Sequence, residues 1–363
     1  MYLAIRDLRA AAGRFMLVGL VVALVALLGV LLSGLASGLV DDGISGLRSQ
    51  KLTHLIMQSG SGGVFSKSTV TPENLSNIKN LDSVEYSELG MSFFNSKSSK
   101  GTNVDLAVFG LDSRSFLIPR EDGRDALAKP NTIVISQEIA DSGLEVGDTL
   151  TLLGNEMTLT IAGVTQSGTY GHVPIAYTSL STWQSALYGN DPRGRFSAVA
   201  IKADSAALSA IKESASQDGM QVVSKQAAYK GSPGYEAETS TMTLIRAFLF
   251  VISTLIVGAF FTVWTVQRTR EIGIMKALGA TNKYVVRDAL SQLSIVITVA
   301  TAIGSLFGYG IGQLVPNSVP FSLHLTSVLV ASVGLIVVGL LGSVLTIRRI
   351  VRVDPLVALG SGS

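Results

Sequence analysis

Two short stretches hold the side chains with the widest chemical reach. GTYGHVP (168–174) sets Tyr170 and His172 two residues apart, a spacing that on a strand points both to one face. GSPGYEAETSTMTLIRAF (231–248) carries Tyr235, Glu236, Met242 and Arg246 at the start of a long apolar run. A phenol, an imidazole and a thioether are all axial ligands for iron in a flat macrocycle. A guanidinium pairs with carboxylates through a matching fork of donors. Together they would suit an amphipathic anion that is flat, apolar and edged with acid groups. Each residue also has a plain use: Arg246 would snorkel toward lipid phosphate, and Tyr235 would sit at a membrane interface. The remaining histidines, His54 and His324, come with no HExxH or GxSxG pattern, so no catalytic site is expected. The absence of cysteine excludes disulfides and thiolate metal sites.

What positions these residues is a set of apolar runs. Of 363 residues 15% are charged and 47% hydrophobic, a balance that points to a membrane protein. No Asp, Glu, Lys or Arg occurs from Phe15 to Val40, from Ala247 to Gln267, or from Ala289 to Ile347. A hydrocarbon core of roughly 30 Å takes about 20 helical residues. The last run is too long for one crossing, and PNSVPFSLH (316–324) divides it. Four transmembrane helices are therefore expected, at 15–40, 243–267, 289–315 and 325–347. A signal peptide at the first run is disfavoured, because its apolar core would extend only about 7–15 residues.

Basic residues in the flanks set the orientation. Arg6, Arg9 and Arg14 precede the first run, and Arg268, Arg270, Lys276, Lys283 and Arg287 separate the second from the third. Arg348, Arg349 and Arg352 follow the fourth. With an even number of crossings, all these clusters and both termini fall in the cytoplasm. Residues 41–242 are then extracytoplasmic, and the chain is a multi-pass protein of the cytoplasmic (inner or plasma) membrane. A net charge of +2 gives no reason to expect nucleic acid as a partner. Gly34 and Gly38 in the first run, and Gly304, Gly308 and Gly312 in the third, form stripes that let helix backbones approach closely. Packing within the chain and a seam with a second copy are both open readings of the first stripe.

The segment 41–242 has the pattern of a soluble domain. KLTHLIMQ reads as a strand, TPENLSNIKN as a helix and SVEYSELGMSFFN as a strand. SAVAIK, DSAALSAIKESASQDG and MQVVSK (197–225) repeat that order. Between them a β-rich insert is expected at about 101–180, where NTIVIS and DTLTLLGNEMTLTIAGV alternate as strands. The fold class is thus an integral membrane protein: four transmembrane α-helices, with a mixed α/β domain inserted between helices 1 and 2.

RTREIGIMKALGATNKYVVRDAL (268–290) contains an apolar strip flanked by cations, the pattern of a short helix at the inner membrane surface or of a docking element. REIGIMKALGAT (270–281) resembles the signature of MacB/FtsX-type ABC transporter permeases. NTIVISQEIADSGLEVGDTLTL (131–152) is similar to their outside-domain motif, and AIRDLRAAAGRFMLVGL to their N-terminal helix, here an amphipathic cytoplasmic segment at 1–14. The resemblance extends over nearly the whole chain. It implies that 268–288 is a coupling helix touching an ABC ATPase through Glu271, Ile272, Ile274, Met275 and Leu278, followed at the far end by a cytoplasmic tail at 348–363. It implies a homodimer, hence a second copy of this chain beside the lipid bilayer, with a pair of ATPase subunits supplying the energy. In keeping with that division, the sequence has no GxxxxGK[ST] loop, so the permease is not itself expected to be an enzyme.

GTYGHVP and PGYEAE are similar to segments of the haem-efflux branch of this family in Gram-positive bacteria. That likeness implies haem as a transported ligand, with no cofactor held permanently, and carries over to Tyr170 and Tyr235. Arg246, His172, Met242 and Glu236 join them on chemical grounds. The family's mode of action would be mechanotransmission, in which ATP-driven closure at the cytoplasmic side moves the spans and expels haem taken from the outer leaflet. Two alternatives stay open: efflux of an antimicrobial peptide, macrolide or lipoprotein, and signal transduction to an extracellular cell-wall hydrolase.

Overall fold

The computed structural model describes residues 12–78, 84–118, 122–267, 269–316 and 319–350. Most of the expected N-terminal helix at 1–14 and of the tail at 348–363 lies outside them. The chain divides into two compact units, one of residues 1–39 and 238–363 and one of residues 40–237.

In the first unit, and among the described residues, four helices are long and apolar enough to cross a membrane. These are α1 (Ala12–Ser49), which starts in this unit and ends in the other, and, after the α/β unit, three more. The α/β unit adds β1 (His54–Gln58), α2 (Pro72–Asn77), β2 (Glu85–Ser98), β3 (Asn103–Leu111), α3 (Asp122–Leu127), β4 (Thr132–Ser136) and α4 (Gln137–Asp141). There follow β5 (Thr149–Leu152), β6 (Thr158–Thr165), β7 (Thr169–Tyr170), β8 (Val173–Ser179), α5 (Leu180–Tyr188), β9 (Ala198–Lys202), α6 (Ser205–Gln217), β10 (Met220–Ser224) and α7 (Lys225–Ala228). The chain then enters α8 (Tyr235–Gln267), the short α9 (Thr269–Ala277), α10 (Asn282–Gly312) and α11 (Leu325–Ile350).

Three spanning helices outrun their apolar cores. α1 continues past Asp41 and Asp42 to Ser49, α8 starts at Tyr235 rather than 243, and α10 at Asn282 rather than 289. Hydropathy marks the stretch that suits hydrocarbon, whereas a helix ends where its capping changes. At the end of α1, the Lys225 ammonium donates to the Arg48 and Gln50 carbonyls at 2.6 and 2.5 Å, placing a cation where the helix dipole favours one.

In the α/β unit the strands run in the order β10-β1-β9-β2-β3-β8-β4-β6-β5. The long strand β2 also pairs β5 through Ser96↔Leu152, so β2-β3-β8-β4-β6-β5 closes on itself. The β-rich stretch expected at about 101–180 is continuous with the rest of the sheet, since β2 belongs to both halves. Alternate residues of the central strands feed two cores. Leu106, Val108, Ile133, Ile135, Val199 and Ile201 enter one, and Ala107, Phe109, Val134, Ala198 and Ala200 the other. Burial on both faces gives β4 an unbroken Ile133-Val134-Ile135 run in place of the alternation expected of NTIVIS. Gly90 and Gly110 face each other across β2 and β3, and the Trp183 ring lies on that bare floor, where any Cβ would collide with it.

The glycine stripes are used within the chain. A Cβ at Gly304 would strike the Ala23 backbone of α1, and one at Gly308 would press on Val30. Gly34 and Gly38 receive Phe321 and Pro320 from the segment joining α10 to α11, and the Ser322 N–H donates to the Gly34 carbonyl at 3.0 Å. Intrachain packing, one of the two readings of the first stripe, accounts for Gly34 and Gly38.

Candidate functional site

The GTYGHVP stretch forms a hairpin, not a continuous strand. Thr169 pairs with Pro174 and Tyr170 with Val173, leaving Gly171 and His172 as a two-residue turn with φ of 59° and 62°. Two successive positive φ values are the signature of the type I′ turn. Tyr170 and His172 consequently do not share a face, which corrects the strand reading.

Tyr170 is a core residue. Its side chain is 1% exposed, and its ring lies between 5.7 and 6.2 Å from those of Phe65, Phe93 and Phe109. Among the described residues the hydroxyl has no hydrogen-bond partner, and burial pushes the phenol well above its ordinary pKa. A phenol enclosed by hydrocarbon and this hard to ionise has no route to an iron, so Tyr170 is withdrawn as a ligand. Sequence spacing recorded its type and missed its burial.

His172 is exposed at the turn, with Nδ1 2.9 Å from the Asp42 carboxylate of α1. Around it the hairpin is bound to the root of α1. The Thr169 N–H donates to Ser45 Oγ at 2.8 Å, and Thr169 Oγ1 donates to the Asp42 carbonyl. The Gly171 N–H donates to the Gly43 carbonyl at 2.8 Å and also to Ser232 Oγ, just before α8, at 3.1 Å. Ser232 Oγ in turn donates to Gly43 O at 2.6 Å. A Cβ on Gly171 would come within 2.9 Å of Pro233, so glycine answers both the turn and the close approach. The hairpin thus links the last two turns of α1 to the chain entering α8. Asp42, Ser45 and Ser232, which make this link, gave no signal in the sequence.

Tyr235, the first residue of α8, is half-buried, with its ring 6.3 Å from that of Tyr229. Burial raises the Tyr229 phenol, while Arg48, ion-paired to Asp41 at 2.5 Å, pulls it back down. Glu236 is exposed and sits 4.0 Å from Lys230. Met242 and Arg246 lie four residues apart on α8, hence as neighbours on one helical face. Arg246 lines a cavity of about 270 Å³ within the helical unit, whose wall mixes Val25, Phe250 and Leu335 with the hydroxyls of Ser33, Ser305 and Ser332. Its character is amphipathic, with one cation and a few hydroxyls among apolar side chains. Tyr235, Met242 and Arg246 therefore sit on one helix, while Tyr170 and His172 belong to the hairpin.

The segment 268–288, expected to be a coupling helix, also divides. α9 ends in a Schellman turn, with the Ala280 N–H donating to Met275 O at 2.9 Å, the Gly279 N–H to Lys276 O at 3.0 Å, and Gly279 at φ 95°. Ile272 is 3% exposed and packs in the helical core with Phe15, Val285 and Leu293, and Met275 packs partly against that core. As direct contacts for a partner these two are corrected, because their face of the strip is used internally. Ile274 and Leu278 point outward, 43% and 83% exposed. The Glu271 side chain lies outside the described residues. Among the described residues, no cluster of three His, Asp or Glu could hold a metal ion.

Residues 243–355 match the model for the FtsX-like permease C-terminal domain. The chain is 28% identical over 371 residues to a Staphylococcus haemolyticus protein bearing the name hemin transport system permease protein HrtB, covering 99% of each. It is 25% identical over 267 residues to an uncharacterised ABC transporter permease of Mycobacterium tuberculosis, covering 72% of this chain and 71% of that one. Among solved structures, the periplasmic region of MacB from Actinobacillus actinomycetemcomitans aligns with a TM-score of 0.37 and 13% identity, covering 53% of this chain and 96% of that one.

Proposed function

We propose that this chain, which carries an FtsX-like permease domain at residues 243–355 and four helices long and apolar enough to cross a membrane among its described residues, is the membrane subunit of an ATP-driven ABC pump that removes haem from the outer leaflet of the cytoplasmic membrane. The observation that carries the cargo is the similarity to the hemin permease of Staphylococcus haemolyticus along 99% of both chains. The Arg246 cavity supports it, since a guanidinium among apolar side chains meets the two needs of a flat apolar ring with propionates.

In this reading both termini are cytoplasmic, the α/β unit is outside, and two copies assemble with two ATPase subunits. Haem enters laterally from the lipid. Arg246 holds a propionate, and Met242, one turn earlier on α8, or Tyr235 at the start of that helix offers the iron a ligand. ATP-driven closure of the ATPase pair pushes on the exposed Ile274 and Leu278 of α9. The motion passes through the spans and narrows the cavity, the axial ligand lets go of the iron, and haem leaves outward chemically unchanged.

The test is an absorption titration of the purified permease–ATPase complex with haem. Wild type is expected to give a saturable Soret shift, Arg246→Gln to weaken it about ten-fold, and Tyr235→Phe to change its position. A shift indifferent to both substitutions removes the site and keeps the cargo. No saturable shift in wild type removes haem, leaving peptide, macrolide or lipoprotein efflux, or signalling to a cell-wall hydrolase.

A further inference from the structure

Two hollows of about 610 and 710 Å³ lie along α10 and share Ile295 in their walls. The first is headed by Lys283 and Arg287 and continues past Leu290 to the hydroxyls of Ser291 and Ser294. The second runs on between α10 and α1, over Val299 and Ile303 of one and Leu17 and Leu20 of the other. Charge, then hydroxyl, then hydrocarbon is the order of a phospholipid from phosphate through glycerol ester to acyl chain. From Arg287 to Val299 the helix rises roughly 18 Å, about the depth of one leaflet.

The cations are placed where helix energetics alone would not put them. They occupy the first two turns of α10, the end whose dipole disfavours positive charge. Among the described residues no carboxylate is ion-paired to either. The nearest acid in sequence, Asp288, accepts a hydrogen bond from Gln292 Nε2 at 2.8 Å. Arg287 does not gain a partner from Ser291, whose hydroxyl donates to the Arg287 carbonyl at 2.7 Å. An anion between Lys283 and Arg287 would satisfy both cations, and basic pockets on spanning helices are a known way of holding lipid headgroups.

We infer that this furrow binds an anionic phospholipid, its phosphate between Lys283 and Arg287 and its acyl chains on Ile295, Val299 and Ile303. The inference rests on the membrane placement of α10 and not on the identity of the cargo. A lipid seated there would fill the seam between α1 and α10 close to α9, and so steady the end of the bundle that receives the ATPase.

The full-length permease, extracted from membranes and studied by native mass spectrometry with added phosphatidylglycerol or phosphatidylcholine, tests this. Wild type is expected to retain phosphatidylglycerol at least five-fold more than phosphatidylcholine. Lys283→Gln/Arg287→Gln should abolish that preference, and Ile295→Trp, which fills the furrow with both cations intact, should lower retention of either lipid. Retention in the charge variant equal to wild type overturns the inference, as does equal retention of the two lipids by wild type. Loss of ATPase binding with lipid retention unchanged overturns it too, and assigns the cations to protein docking. If the double variant fails to fold, Arg287→Lys, which keeps the charge, is expected to preserve the preference and Arg287→Gln to weaken it. An unchanged Arg287→Gln then counts against the site.

Discussion

Tyr170 and Tyr235 are one residue type given one role by local motif, and burial separates them. The orphaned hydroxyl of Tyr170 is a cost the core carries, since an unsatisfied buried polar group costs about 1–3 kcal/mol. Tyr170→Phe is therefore expected to leave haem titration unchanged and to leave stability equal or raise it by about 1 kcal/mol, read by thermal unfolding. A lost Soret shift in that variant would return Tyr170 to the site. Glu88 offers a second test of burial, with a sign that can be worked out. Desolvation, aided by the negative charge of Asp112, raises its pKa above the ordinary carboxylate value. Near neutral pH the folded state holds this carboxylate ionised at a cost, and that cost disappears as pH falls through the raised folded value toward the unfolded one. Glu88→Gln should thus be more stable than wild type at pH 7, with an advantage that shrinks on acidification. An advantage independent of pH would mean the residue acts through packing alone.

At the scale of elements, α9 shows what periodicity conveys and what it omits. Apolar residues at helical spacing in REIGIMKALGAT make a helix legible, and Gly279 makes its end legible. Which side of the strip is spent on the molecule's own core depends on Phe15, Val285 and Leu293, distant in sequence, and no local pattern reports it. The same limit applies to the glycine stripes, whose meaning turned on Phe321 and Pro320 arriving from another segment. In the α/β unit, strand positions were legible from alternation, but the closure of β5 onto β2 was not, because pairing register is a long-range property. The two sides of α9 predict two phenotypes. Ile272→Ala should lower stability by about 2–5 kcal/mol, the range for a large buried aliphatic cut to alanine, while the folded fraction still stimulates the ATPase. Leu278→Asp or Ile274→Asp should leave the melting temperature near wild type and abolish stimulation. Stimulation retained in both charged variants would remove α9 as the docking element.

For the whole molecule, orientation is the property on which the proposed lipid-facing site and the proposed ATPase contact jointly depend. The orientation expected from the sequence rests on where the cations fall, since lysine and arginine near span ends are retained on the cytoplasmic side. The structure adds a mechanical consequence. α1 and α8 each contribute residues to both units, and within the α/β unit the Gly171–His172 turn joins the two through Gly43 and Ser232. In the proposed mechanism, motion imposed on the spans would have two covalent leads into the α/β unit, bound together at their roots. Because the chain has no cysteine, single introduced cysteines report sidedness without background. Asn190 and Leu278 are both exposed, one in each unit, so neither substitution disturbs a core. A membrane-impermeant maleimide applied to intact cells should label Asn190→Cys, and Leu278→Cys only after permeabilisation. The reverse pattern would put α9 out of reach of any cytoplasmic ATPase. It would also turn the Arg246 end of α8 toward the inner leaflet, so haem could not be taken from the outer one by this route.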